Sequence, residues 1–151
     1  MIDIEQLTTE YLILHENDVD WDALSSYPDR DFSLVEIRLF RKNINWEKYL
    51  ISHSNILSDT KLEIASKYFT DRIYTLLSSF NIAREDFIVR HADKFNFKSV
   101  ILNCKMSQDA LLETMDYWKD LPDIQNTFKE SKYIDISQPE YSDIKLVVDT
   151  L

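Results

Sequence analysis

The side chains of this chain best suited to proton transfer, nucleophilic attack or metal ligation near neutral pH are three histidines, His15, His53 and His91, and one cysteine, Cys104. Each histidine has acids close by in sequence: Glu16 beside His15, Asp59 after His53, and Asp86 and Asp93 on either side of His91. A carboxylate and a histidine are raw material for general acid–base chemistry, but they need a nucleophile at a workable spacing, and none is present. His91 and Asp93, two residues apart, cannot share a helix face. Cys104 falls on the apolar side of an expected short helix, where a buried thiol is inert. A single cysteine cannot make a zinc cluster or a CxxC pair, and no His or acid pair at i, i+4 recurs with a third ligand. The expectation is a chain with no catalytic residue, no cofactor and no metal.

Composition narrows the field from another direction. The chain has 151 residues, 44% of them hydrophobic, and no glycine at all, where average usage gives about ten in such a length. That zero excludes the P-loop, the Rossmann fingerprint, the nucleophile elbow, the usual EF-hand loop and the Asn-Gly hairpin, each of which needs glycine at a fixed position. The length suits one domain with a core of its own. With one cysteine there is no internal disulfide, and a reducing, cytoplasmic setting is expected. The start, Met1-Ile2-Asp3-Ile4-Glu5, is acidic where a secretion signal is basic, and no apolar run approaches the roughly 18 residues of a membrane span.

The elements that must position any functional residue show up as an internal repeat. An apolar residue followed by a small one recurs as Leu7-Thr8, Phe32-Ser33, Leu57-Ser58, Ile82-Ala83 and Met106-Ser107, in steps of 25, 25, 25 and 24. Four residues after each small residue stands an apolar one: Leu12, Ile37, Leu62, Phe87 and Leu111. This is helix-start grammar, a hydroxyl at the N-cap and a hydrophobic staple across it, with Ser33 and Glu36 spaced as a capping box. Ala83 cannot cap, so its helix is expected to start less firmly, by about 1 kcal/mol. Helices of ten to twelve residues follow, carrying Leu34, Ile37 and Phe40, or Leu62, Ala65 and Phe69.

A second marker begins a shorter helix in each unit: Val19-Asp20-Trp21, Ile44-Asn45-Trp46 and Phe95-Asn96-Phe97, with Asp or Asn as cap. The copy at Asp71-Arg72-Ile73-Tyr74 reads as displaced, with Leu76, Leu77 and Phe80 as its apolar face. Beyond Trp118 the chain is less regular. A short helix interrupted near Pro122 is expected there, and Ile136-Ser137-Gln138-Pro139 then restarts the grammar for a terminal helix over residues 138–150, with an edge strand at Lys145-Leu146-Val147-Val148 as the alternative. Ends at Asn17, Asn43 and Asn103 would let a glycine-free chain stop its helices without strained turns. The fold expected is all-α: one domain over 1–151, a short α-solenoid of helix-pair repeats starting near 8, 33, 58, 83 and 107, with an atypical C-terminal capping helix near 137.

The [Ile/Val]-[Asp/Asn]-Trp opening and the Leu-Ser helix start resemble the short tandem helical repeats of bacteriophage and large DNA virus proteins, over about residues 7 to 118. The resemblance implies a viral, intracellular protein with a binding role, in the host cytoplasm, and it brings no catalytic residues with it.

Charge gives the functional expectation. The net of -10 divides into -9 over residues 1–36, +5 over 37–108 and -6 over 109–151. Asp18, Asp20, Asp22, Asp29 and Asp31 could dock on a basic site of another protein, such as a host complex that handles nucleic acid, so that the chain acts as an inhibitor or modulator. The bland alternative is solvated acids favoured by helix N-termini. Arg41, Lys42, Lys67, Arg90 and Lys94 sit late in successive units and could form a basic ridge, although cations are also the default at helix C-termini. An overall charge of -10 argues against direct nucleic-acid binding. A structural adaptor or self-associating piece of a viral assembly is the other reading. The tryptophans and tyrosines are expected to pack between repeats rather than form a stacking platform.

Overall fold

The computed structural model describes residues 4–53 and 57–151, apart from the side chain of Glu5; Asp3, counted above among the acids, lies outside it. Every regular element is helical, and there is no strand among the described residues. The α-helices are α1 (Thr9–Leu14), α2 (Trp21–Ser25), α3 (Leu34–Phe40), α4 (Trp46–Ser52), α5 (Asp59–Ala65), α6 (Asp71–Ser79), α7 (Glu85–Arg90), α8 (Phe97–Asn103), α9 (Gln108–Glu113), α10 (Met115–Trp118), α11 (Ile124–Glu130) and α12 (Ser142–Asp149). Short 3-10 turns follow α1, α5 and α7, and another over Pro139–Tyr141 leads into α12. The Lys145–Val148 segment is therefore helix, which removes the edge-strand alternative.

Capping explains where these helices begin. The hydroxyls of Thr8, Ser33, Ser58 and Ser107 accept from the backbone N–H three residues on, at 3.1, 3.2, 3.3 and 3.2 Å. Ser33 and Glu36 complete a capping box. The unit without a hydroxyl does lack a side-chain cap: α7 starts from Arg84, one residue later than the repeat phase puts it. The second series is more regular than expected. Asp20, Asn45 and Asn96 cap α2, α4 and α8, and Thr70, rather than Asp71 itself, caps α6 by accepting from Ile73 N–H at 3.4 Å. Thr70 falls in phase with the other three, so the third unit is not displaced. Its aromatic is what moved, from the first helical position to Tyr74, which is buried. Phe80, expected on the apolar face, is exposed.

The division into longer and shorter helices does not hold. Instead of ten to twelve α-helical residues, α1, α5 and α7 have six or seven and finish in a 3-10 turn, while α6 reaches nine. Tightening to 3-10 satisfies the last carbonyls without an extra turn of helix. Where a left-handed residue is needed, Asn and Asp supply it, at Asn81 (φ 51°) and Asp123 (φ 55°). Strained turns are therefore present, contrary to expectation. At the end of α6 the Ile82 N–H reaches Leu77 C=O at 3.0 Å and the Asn81 N–H reaches Ser78 C=O at 3.4 Å, a Schellman stop with asparagine in the glycine position.

The helices pack in two alternating series. In one, α3 lies on α5, α5 on α7, α7 on α9 and α9 on α12; in the other, α2 lies on α4, α4 on α6, α6 on α8 and α8 on α11. Between them runs a single apolar cluster from Leu12 to Val148. Trp21 and Trp46 occupy the same phase and make the same contact. Each indole N–H donates to a carbonyl five residues back, Glu16 at 3.0 Å and Arg41 at 2.7 Å, so each ring packs with its polar atom satisfied.

Candidate protein-binding surface

The acids singled out in the N-terminal third have different duties. Asp20 is the cap of α2. Asp22 accepts from Asn45 Nδ2 at 2.9 Å and stands 3.6 Å from Lys48 Nζ, and these two partners, Asn45 first, hold its carboxyl below the usual range. Asp31 precedes α3 and knits two units together. Its carboxylate accepts from the Tyr49 hydroxyl, from Lys61 Nζ at 2.8 Å and from the Phe32 N–H at 2.7 Å. Burial works to raise the Asp31 carboxyl, but Lys61 and Tyr49 outweigh it and the group is held low. Burial, together with the contact to Asp31, pushes the Tyr49 phenol up. Asp18 and Asp29 are exposed and make no side-chain hydrogen bond or ion pair with any described residue. The acidic set thus splits into three structural carboxylates and two unengaged ones.

The basic set splits in a similar way. Arg41 donates to Ile64 C=O at 2.9 Å and covers the Tyr68 ring. Arg90 reaches across from α7 to α5, to Glu63 at 2.8 Å and Asp59 at 3.4 Å. Lys42, Lys67 and Lys94 are exposed, with no ion pair to a described residue. Two of the five cations therefore hold neighbouring units together, and three remain on the surface.

The histidines do not pair with the acids that neighbour them in sequence. His15 stacks on Tyr11 with ring centroids 4.2 Å apart. His53 lies against the backbone carbonyls of Tyr49 and Arg30 at 2.9 and 3.2 Å rather than against Asp59. His91 meets Glu63, 2.9 Å from its carboxylate, rather than Asp86 or Asp93. Burial opposes ionisation of Glu63, but Arg90 and His91 prevail and keep its carboxyl low. Cys104 is buried beside Ser78 C=O, and burial pushes its thiol up to about 12, far from the thiolate a nucleophile needs. Among the described residues, no three His, Cys, Asp or Glu side chains gather as a metal site would require. No described helix is long and apolar enough to cross a membrane.

Sequence reasoning passed over an apolar surface on the first two units. Ile13 and Leu14 on α1 and Leu34, Val35 and Leu39 on α3 are exposed, Leu14 by 78% and Val35 by 62%. Counted from the first residue of each helix, Leu34, Val35 and Leu39 take the positions of Asp59, Thr60 and Ile64 of α5 and of Glu85, Asp86 and Arg90 of α7, so the change is clearest at Leu34 and Val35. Leu34, expected with Ile37 and Phe40 on the apolar face, is exposed, and only Ile37 and Phe40 of this helix are buried apolar residues.

The chain matches no family model, no curated protein and no solved structure.

Proposed function

We propose that this chain is a short α-solenoid, capped by α12, that works as a non-catalytic protein-binding module, with its acidic N-terminal third docking on a basic site of another protein. The observation that carries this reading is the presence of Asp18 and Asp29, exposed and unengaged, within residues 1–36, whose net charge is -9. A carboxylate used for capping or for tying units together is occupied; one left in solvent within a strongly negative field can steer and pair with a cationic partner. The alternation of the two helix series supports the solenoid reading, because the helices from α2 to α9 each rest on a counterpart in an adjacent unit. The resemblance to phage and viral repeats makes an inhibitor or modulator of a host complex the natural role, in the cytoplasm of the host. The adaptor reading, self-association within a viral assembly, draws on exposed Leu146 and Leu151 at the C-terminal end.

The test uses the acids that fold does not need. Charge reversal at Asp20 or Asp22 would disturb a cap or an inter-unit bond, whereas Asp18→Lys with Asp29→Lys leaves both intact. Capture of a partner from host extract by the tagged chain is expected to weaken with added salt and to be lost in the double variant, with an unchanged helical circular dichroism spectrum. Capture indifferent to both salt and the double reversal would overturn the reading.

A further inference from the structure

The exposed apolar residues of the described chain concentrate on α1 and α3, two helices that together supply five of the twelve large ones. On α5 and α7 charged residues pair with one another instead, Arg90 of α7 with Glu63 and Asp59 of α5 and His91 with Glu63. At the start of α1 the Thr9 side chain bonds the Glu36 carboxylate of α3, which makes the two helices neighbours, and on α3 Val35 stands one turn from Leu39 on the same face. Glu10 on α1 and Asp18 just beyond it are exposed at the margin, and Arg38 is the one cation on these two helices.

An exposed apolar patch with charged margins marks a docking site rather than ordinary surface. Its occupant follows from the charge. A second copy would bring its own -9 against this one, and an anionic lipid surface would be repelled in the same way. A cationic amphipathic helix satisfies both parts of the surface: apolar residues at i, i+3 and i+4 on the leucines and valine, flanking lysines or arginines on the acids. We infer that the outer face of α1 and α3 is a groove for a basic amphipathic helix of a partner protein, with Leu14, Val35 and Leu39 as its apolar floor. This rests on the reading of the N-terminal third as the binding surface and adds the class of partner and the residues that recognise it.

Two synthetic peptides of identical lysine and leucine content test the inference, one with helical amphipathic spacing and one scrambled to destroy it. The full chain is titrated with each by fluorescence anisotropy, with the Leu14→Ser, Val35→Ser, Leu39→Ser triple variant and the Asp18→Lys, Asp29→Lys double variant in parallel. All five sites are exposed, so both variants are expected to keep the wild-type helical spectrum and melting temperature. The amphipathic peptide is expected to bind at least about tenfold more tightly than the scrambled one, a difference of ~1.4 kcal/mol, and to lose that advantage in the triple variant. Equal binding of both peptides, weakened only by charge reversal, would overturn this groove while leaving the acidic docking reading intact. Binding indifferent to the charge reversal would instead count against that broader reading. Concentration-dependent dimerisation abolished by the triple variant, or tighter binding to anionic vesicles than to peptide, would assign the face to another occupant and also overturn the inference.

Discussion

Glu36 is the one charged residue among those described that is buried, 4% exposed, and its partner explains why it is tolerated. Arg30 grips both carboxylate oxygens, at 2.7 and 3.2 Å, and donates a third bond to Leu7 C=O at 2.9 Å, so one guanidinium joins the segment before α1 to the start of α3. Breaking such a pair strands the other charge, so Glu36→Gln is expected to lower stability in urea unfolding by ~3 kcal/mol at neutral pH. Burial disfavours its charged form, but Arg30 and the Ser33 N–H more than compensate and hold the carboxyl low, as their partners do for Asp31 and Glu63. A carboxylate held low stabilises the fold at every pH above its unfolded value, and that contribution disappears as pH falls through the folded value. Stability is thus expected to drop below about pH 4.5, and the drop to be shallower in Glu36→Gln. An acid limb as steep as in the wild-type chain would contradict this account. None of this was legible beyond the capping box itself, because Ser33 and Glu36 are near neighbours whereas Tyr49 and Lys61 reach Asp31 from 18 and 30 residues away.

At the scale of the helix, cap chemistry is local, and the starts of α1, α3, α5 and α9 could accordingly be read directly from Thr8, Ser33, Ser58 and Ser107. Thr70 is hard to read from sequence because the other three caps are followed by an aromatic and Thr70 is followed by Asp71; the cap alone keeps the phase. Helix length was also misjudged, since an apolar period cannot distinguish a continuing α-turn from the 3-10 turn that replaces it after α1, α5 and α7. The one uncapped start among the repeat openings is a place to improve the protein. Arg84→Ser would give α7 the hydroxyl its counterparts have, and it is expected to raise stability by about 1 kcal/mol, seen as a higher melting temperature. No gain, or a loss, would mean that the Arg84 side chain holds something its missing cap bond does not reveal.

At the scale of the whole molecule, the charge profile of -9, +5 and -6 survives as an organising feature, but the structure changes what each part does. Much of the central positive charge is absorbed between units: Lys61 by Asp31, Arg72 by Glu47, and Arg90 by Asp59 and Glu63. The N-terminal third keeps unengaged acids and adds apolar residues that a solvent-facing helix does not need. Sequence could show that acids cluster there and that Asp20 is a cap, and could not show that Asp22 and Asp31 were already committed, since their partners lie 18 to 30 residues away. The fold class was legible because helix starts recur; the surface was not, because its signal is a departure from that recurrence. The central claim is that the first two units are the binding surface. Hydrogen–deuterium exchange of the chain, alone and with its captured partner, measures this most directly. The account predicts protection confined to residues 9–40, the span of α1 to α3; protection centred on α9 to α12, with the N-terminal helices unchanged, would contradict it.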